Sequence, residues 1–124
     1  MITIRSFNSR QVILNLYEND KITDFYGRIK YFISYSNIKN FSMQVLYKFD
    51  GEWITDFYGK MLYKLCGNEF KDFYGRTVLK FEGDMITDFY GRFLYLLDSP
   101  LSESDKKIIG TIYMEYGNLE NAIK

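Results

Sequence analysis

The tetrapeptide Asp-Phe-Tyr-Gly occurs four times, and its spacing constrains the fold more than any other feature of the chain. The copies begin at Asp24, Asp56, Asp72 and Asp88, so that successive gaps are 32, 16 and 16 residues. A period of 16 predicts another copy at position 40, where the sequence reads Asn-Phe-Ser-Met. Because self-similarity at a fixed period is typical of repeat architectures, we expect five units between residues 22 and 97.

A sixth unit is predicted at the N-terminus. Residues 4–7 match the Ile-Thr-Asp-Phe part of the unit, and residues 14–17 match its second strand. Two additional residues in the intervening turn would restore the register.

The unit, Ile-Thr-Asp-Phe-Tyr-Gly-Arg-x-Leu-Tyr-x-Phe-Asp-Gly-x-x, carries two turn signals. Asp-x-x-Gly predicts a type I turn followed by a left-handed glycine. The pairs Asp50-Gly51, Cys66-Gly67 and Glu82-Gly83 predict tight two-residue turns. Two turns per unit leave two strands of about five residues each. The pattern therefore predicts an all-β antiparallel meander of tandem hairpins.

Alternation along the second strand of each unit predicts which face is buried. Every second residue of the strand lies on one face, and one of the two faces is predicted to be apolar along its whole length. Its residues are Val45, Tyr47, Phe49, Met61, Tyr63, Leu65, Thr77, Leu79, Phe81, Phe93, Tyr95 and Leu97. The opposite face of the strand is apolar only at its centre, at Leu46, Leu62, Val78 and Leu94. A sheet closed, or nearly closed, around an axis explains both faces, and an open solenoid-like ribbon is the alternative.

The repeats occupy residues 1–99, and residues 100–124 predict one C-terminal helix within the same single domain. Ser102 or Ser104 can cap this helix, and Gly117 can end it. Ile109, Ile112, Tyr113, Tyr116 and Leu119 recur at helical spacing. We expect the helix to cover an open end of the sheet and to shield Phe32 and Leu96, which replace the lysine of the middle units. A partner-binding helix is the alternative.

Composition excludes several classes of function. The 16 basic and 16 acidic residues balance, which argues against a nucleic-acid partner. No stretch of eighteen apolar residues is present, and residues 1–19 do not resemble a signal peptide, so we expect a soluble cytoplasmic protein without a membrane partner. The chain has no histidine, and its one cysteine, Cys66, sits in a predicted turn. We therefore expect no enzyme activity, no cofactor and no metal.

The candidate binding residues are aromatic and basic side chains at the turns, together with one tryptophan. They are Tyr26, Arg28, Tyr58, Lys60, Tyr74, Arg76, Tyr90, Arg92 and Trp53. Such a surface can stack a ligand or hold a partner, although packing of each unit on its neighbour also explains the pattern. The repeated aspartates could form a cation site. Turn formation and pairing with the Arg or Lys four residues later explain them more simply.

Units such as Phe-Asp-Gly-Glu-Trp-Ile-Thr-Asp-Phe-Tyr-Gly-Lys-Met-Leu-Tyr-Lys-Leu (49–65) resemble the bacterial four-fold beta flower domains, which carry a Gly-Lys-x-x-x-Tyr-x-x-x-Gly pattern near this period. The Asp-x-x-Gly-Arg element is also similar to the turn of the tyrosine–aspartate repeats of bacterial secreted shells. The resemblance covers residues 22–99 and supplies no catalytic residues. This chain departs from it by having five or six units instead of four, and a helix.

The resemblance implies a small bacterial or phage-type protein of unassigned function, and such proteins often act as inhibitors or immunity factors. We expect a non-enzymatic interaction module with a protein partner or a second copy of itself. The alternative is a protein that binds a small ligand or carbohydrate in repeated aromatic pockets. The first hypothesis predicts exposed turn aromatics, and the second predicts aromatics that point into a cavity.

Overall fold

The computed structural model describes all 124 residues, which form twelve strands and two helices. The strands are β1 Ile2–Ser6, β2 Val12–Tyr17, β3 Lys21–Asp24, β4 Ile29–Ile33, β5 Asn37–Asn40, β6 Val45–Asp50, β7 Trp53–Asp56, β8 Met61–Cys66, β9 Glu69–Asp72, β10 Thr77–Glu82, β11 Met85–Asp88 and β12 Phe93–Leu97. The helices are α1 Glu103–Tyr116 and α2 Leu119–Ala122.

Every strand pairs antiparallel with the next, and β1 pairs with β12, so the sheet closes into a barrel of six hairpins. Ile4 lies opposite Leu97 at the closing seam, just as Ile54 lies opposite Phe49 between two consecutive hairpins. The closed arrangement is therefore confirmed over the open ribbon. Closure leaves no unpaired strand edge, which is one way that β-proteins avoid edge-to-edge association.

The first hairpin, β1–β2, is the predicted sixth unit, but its turn is longer by one residue, not by two. Ile22 pairs with Tyr31, nine positions later, whereas Ile4 pairs with Leu14, ten positions later. Leu14 therefore occupies the position of Tyr31, and the predicted two-residue insertion was wrong.

Both predicted turn types are confirmed. Gly27 has φ +82° and its N–H donates to the carbonyl of Asp24 at 3.1 Å, as a type I turn with a left-handed glycine requires. At the other end of the hairpins, Asp50 pairs with Trp53, so the two-residue turn consists of Gly51 and Glu52 and begins one residue later than the predicted pair Asp50-Gly51.

A bulge in the hairpins corrects the predicted buried face. Pairing shifts register between Ile54 and Thr55, and at the matching step of each of the other five hairpins. Because a bulge inserts one unpaired residue, alternation is broken at the start of the following strand. Met61 and Phe93, predicted to be buried, are 42% and 47% exposed. Beyond the bulge the predicted alternation holds.

Inside the barrel, each hairpin contributes one residue to each of three tiers. The middle or isoleucine tier consists of Ile4, Ile22, Ile38, Ile54, Phe70 and Ile86, all fully buried. The tier nearer the Asp-x-x-Gly turns, here the tyrosine tier, consists of Leu14, Tyr31, Tyr47, Tyr63, Leu79 and Tyr95. The third consists of Leu16, Ile33, Phe49, Leu65, Phe81 and Leu97.

The C-terminal helix occupies the barrel interior. The sequence had led us to expect that it would cover an open end of the sheet, and that prediction was wrong. Five consecutive residues of α1, 108–112, are buried, so the helix is enclosed on all sides. Lys107 Nζ donates to the carbonyl of Gly51 at one barrel end, and Glu115 accepts from Tyr63 in the tyrosine tier. A twelve-stranded barrel is too wide for side chains alone to fill, and the helix supplies the missing volume.

The helix therefore does not shield Phe32 and Leu96, and that prediction was wrong. Each lies between two inward-facing neighbours on its strand, so it faces outward and is half-buried. The two predicted helix caps are confirmed: Ser102 caps α1 by accepting from the N–H of Asp105, and Gly117 ends it with φ +79°. Leu119, which was predicted to belong to the same helix, begins α2 instead. Neither helix has the length and apolar composition needed to cross a lipid bilayer.

Hydroxyls of the tyrosine tier hold the C-terminal segment in place. Tyr31 Oη donates to the carbonyl of Ala122 at 3.1 Å, and Tyr95 Oη accepts from the N–H of Leu119 at 3.0 Å. Burial, followed by the charge of Glu115 and a hydrogen bond to it, raises the pKa of Tyr63 to about 12. Burial raises the pKa of Tyr31 as well. The neutral phenols are therefore the forms that fit the fold.

Candidate functional site

The barrel edge that carries the Asp-x-x-Gly turns is called here the Asp-turn rim, and it comprises residues 7–11, 25–28, 41–44, 57–60, 73–76 and 89–92. In the second of these turns, Asp24 Oδ1 accepts from the backbone N–H groups of Tyr26 and Arg28, both at 2.9 Å. Asp24 Oδ2 accepts from Arg28 Nε at 2.6 Å. One carboxylate therefore fixes the turn and the guanidinium that follows it.

The same arrangement recurs at Asp72 with Arg76 and at Asp88 with Arg92, where the Nε–Oδ2 distances are 2.8 and 2.6 Å. It departs at two turns. Asp56 accepts from the backbone of its turn, but Lys60 makes no ion pair with it. At the decayed copy, Asn40 Nδ2 donates to Gln44 Oε1 at 2.9 Å, so a neutral amide pair replaces the ion pair.

These contacts keep the three paired aspartates ionised. Burial alone would raise the pKa of Asp88, but hydrogen bonds from the backbone and side chain of Arg92, with its positive charge, outweigh burial and lower that pKa. The pKa values of Asp24 and Asp72 are lowered for the same reasons. Because the oxygens already accept from their own turns, the structural role of the aspartates accounts for them without a bound cation.

The two members of each ion pair differ strongly in exposure. The side chains of Asp72 and Asp88 are 15% and 13% exposed, whereas those of Arg76 and Arg92 are both 76% exposed. The negative charge is therefore withdrawn into the turn while the positive charge faces solvent. Although each turn is neutral overall, the surface that it presents is cationic.

Large apolar side chains at the tips of these turns face solvent. The ones at least half exposed are Phe25, Tyr26, Phe41, Met43, Phe57, Tyr58, Phe73, Tyr74, Phe89 and Tyr90. Each Phe-Tyr pair packs edge to face, with ring centroids 5.3–5.5 Å apart. Each guanidinium of an ion pair also lies over the tyrosine of its own turn, at 5.3–5.8 Å from the ring centroid. The rim is thus an ordered aromatic surface.

The structure brings eight of the nine candidate residues to this rim and separates the ninth from them. Trp53 begins β7 next to the two-residue turn at the opposite barrel end, where Lys64 lies over its ring at 5.3 Å. Sequence reasoning did not assign Phe41 and Met43 to the site, although the decayed repeat copy pointed to that turn.

A groove of about 620 Å³ lies between the turn at 73–76 and the turn at 89–92. Arg76 and Arg92 flank it, and Val78 and Phe89 supply apolar walls. Tyr113 of α1 also lines the groove, and its ring packs edge to face on Tyr95 at 6.4 Å. Sequence reasoning had assigned Tyr113 only to helix packing, and its position in the groove depends on the path of α1 through the barrel.

Comparison with protein-family models, with curated proteins and with solved structures finds no match to this chain.

Proposed function

We propose that this protein is a non-enzymatic binding module that holds a protein partner on its Asp-turn rim. The observation that carries the proposal is the set of ten large apolar side chains, each at least half exposed, at one end of the barrel. Large exposed apolar surfaces promote aggregation when no partner covers them. Contiguous apolar patches beyond a few hundred Å² therefore mark interaction sites.

The size of this surface suits a stable interface. An aromatic side chain buries roughly 150–250 Å², so ten side chains at half exposure or more offer on the order of 1,000 Å². A standard protein–protein interface needs about 800 Å² from each partner. The rim can therefore supply one complete interface, and tyrosine and arginine are the residues that such interfaces favour.

The rim is also ordered before any partner arrives. Tyr58 is 90% exposed, yet its N–H donates to Asp56 Oδ1 and its ring packs on Phe57. Since side chains held in place lose less entropy on binding, this order favours affinity. The aromatics point to solvent and not into a closed cavity, which supports an interaction surface over repeated aromatic pockets.

The test compares two variants with the same change in different places. Tyr58→Ser/Tyr90→Ser removes two rim side chains, and Tyr35→Ser removes a tyrosine that is 57% exposed at the opposite barrel end. A photo-crosslinking amino acid placed at position 58 or at position 35 identifies what each end contacts in cells. We expect one defined protein adduct from position 58 and none from position 35.

Purified with that protein, the double variant should lose binding while Tyr35→Ser retains it, with both melting temperatures close to wild type. The proposal fails if adducts form equally at both positions. It also fails if the double variant unfolds, because the rim tyrosines would then belong to the packing of the fold.

A further inference from the structure

We propose that the groove between the turns at 73–76 and 89–92 binds a small oxyanion, a phosphate or a carboxylate, that carries an apolar ring. This site lies within the Asp-turn rim, but its ligand is a small molecule and not the protein partner. The test uses a small molecule and no protein partner. A negative result would therefore not affect the proposed protein-binding function, and failure of that function would not affect the small-molecule site.

The first argument is the position of the ion-paired turns around the barrel. Ion pairs within a turn form at Arg28, Arg76 and Arg92. Only the turns of Arg76 and Arg92 are consecutive, since the turn after Arg28 has the neutral Asn40 and Gln44. This groove is therefore the place where two ion-paired guanidiniums flank one space.

The second argument is the hydrogen-bonding capacity left on these arginines. A guanidinium has five N–H donors. Arg76 and Arg92 bond to the protein side chains through Nε alone, at 2.8 and 2.6 Å, which leaves the Nη donors on the exposed side. Paired Nη donors match an oxyanion in geometry and in charge. Asp72 and Asp88 also line the groove, but their carboxylate oxygens already accept hydrogen bonds from the donors of their own turns.

The third argument is the apolar lining. Val78, Phe89 and the Tyr113 ring lie around the same space, which at about 620 Å³ has the size of a small-molecule site. An inorganic ion would leave this lining unused. An oxyanion joined to a ring would place its charge between the guanidiniums and its ring against the apolar walls.

Arg28 provides a matched control within the chain. It makes the same ion pair and lies over Tyr26 as Arg76 lies over Tyr74. The groove beside it is lined by Ile29, Lys30 and Phe41, without a second ion-paired arginine. Arg28→Gln, Arg76→Gln and Arg92→Gln therefore remove equivalent contacts with the fold, while only the last two remove contacts with the proposed ligand.

The experiment titrates phenyl phosphate, inorganic phosphate and phenol into the wild-type chain by calorimetry and by backbone amide NMR. We expect one phenyl phosphate per chain, bound more tightly than either fragment, with shifts concentrated at residues 75–78, 89–92 and 113. Arg76→Gln and Arg92→Gln should each weaken binding about tenfold, the effect of losing one charge-assisted contact. Arg28→Gln should leave it unchanged.

Arg76→Lys and Arg92→Lys, which keep the charge but lose the planar pair of donors, should give intermediate affinities. Circular dichroism melting of each variant verifies that the barrel is intact. The inference is overturned if phenyl phosphate binds no more tightly than inorganic phosphate, if Arg28→Gln weakens binding as much as Arg76→Gln, or if the amide shifts lie elsewhere.

Discussion

The contact between Gly110 and Phe70 offers the sharpest test of a helix threaded through the barrel. A Cβ atom added to Gly110 would lie within 2.6 Å of three carbons of the Phe70 ring, closer than nonbonded carbons approach. Phe70 is the single aromatic residue of the isoleucine tier and is fully buried. The glycine of the helix and the phenylalanine of the wall are therefore complementary in shape, and we expect them to be energetically coupled.

In an exposed helix, Gly110→Ala would stabilise by about 1 kcal/mol. Inside the barrel the added methyl group must displace the Phe70 ring, and overpacking of this kind costs about 1–3 kcal/mol. Because three ring carbons lie within 2.6 Å, the cost falls at the upper end of this range, about 3 kcal/mol. Subtracting the helix-propensity gain of about 1 kcal/mol leaves a net destabilisation of about 2 kcal/mol and a melting temperature lower by roughly 8 °C. Phe70→Ile alone should also destabilise, because it introduces the isoleucine that the other five hairpins have at this position but leaves a cavity beside Gly110.

The double variant Gly110→Ala/Phe70→Ile should be more stable than the sum of the single changes by about 1–3 kcal/mol. Urea unfolding followed by circular dichroism provides the four free energies of the cycle. Additivity within about 0.5 kcal/mol would show that the two residues do not touch. A Gly110→Ala variant that is more stable than wild type would place this face of the helix in solvent, and the threaded arrangement would be refuted.

Three further outcomes are expected. Met43 holds φ +67° at the position that glycine occupies in four of the other five turns, so Met43→Gly should raise the free energy of unfolding by about 1 kcal/mol, and an unchanged urea midpoint would contradict this. The lowered pKa values of Asp72 and Asp88 mean that the unfolded chain binds more protons near pH ~4, so stability should fall as the pH drops from ~5 to ~3. In Asp72→Asn/Asp88→Asn, stability should depend less on pH over this range, as measured by the urea midpoint at each pH. If the variant loses as much stability as wild type, these carboxylates do not cause the loss. The raised pKa of Tyr63, about 12, means that the unfolded chain loses its proton first, so stability should decline above pH ~10. Tyr63→Phe should decline less steeply than wild type in the same assay, whereas an equal decline would assign the effect to the other tyrosines.

Much of the barrel could be predicted because its local chemistry repeats. Asp at the first turn position and Gly at the fourth determine the turn geometry wherever they occur, and the decayed copy keeps that geometry even with Met43 in place of glycine. The spacing of four residues between Asp and Arg also predicted the ion pairs, and three of the four form. The fourth has Lys60, whose single ammonium lacks the planar donors of arginine.

The position of the helix could not be predicted in the same way. Whether a helix caps a sheet or enters it depends on how many strands close the barrel, and that number is a property of the whole chain. The sequence did contain a signal in the adjacent pair Ile108 and Ile109, with the small Gly110 beside them, which suits a helix buried on all sides better than one with a single apolar stripe. The bulge at Leu62 was missed because strict alternation was assumed along the whole second strand of the unit, from Met61 to Leu65.

The same helix gives a repetitive barrel one distinct site. Six equal hairpins would offer the helix six equivalent orientations, so departures from the repeat must select one. Two such departures, Phe70 opposite Gly110 and Leu79 in place of a tyrosine, fall in the hairpin β9–β10. With the helix oriented there, Tyr113 reaches the groove between the two consecutive ion-paired turns. Restoring the repeat in this hairpin with Phe70→Ile and Leu79→Tyr should therefore disturb both the packing of the helix and the groove.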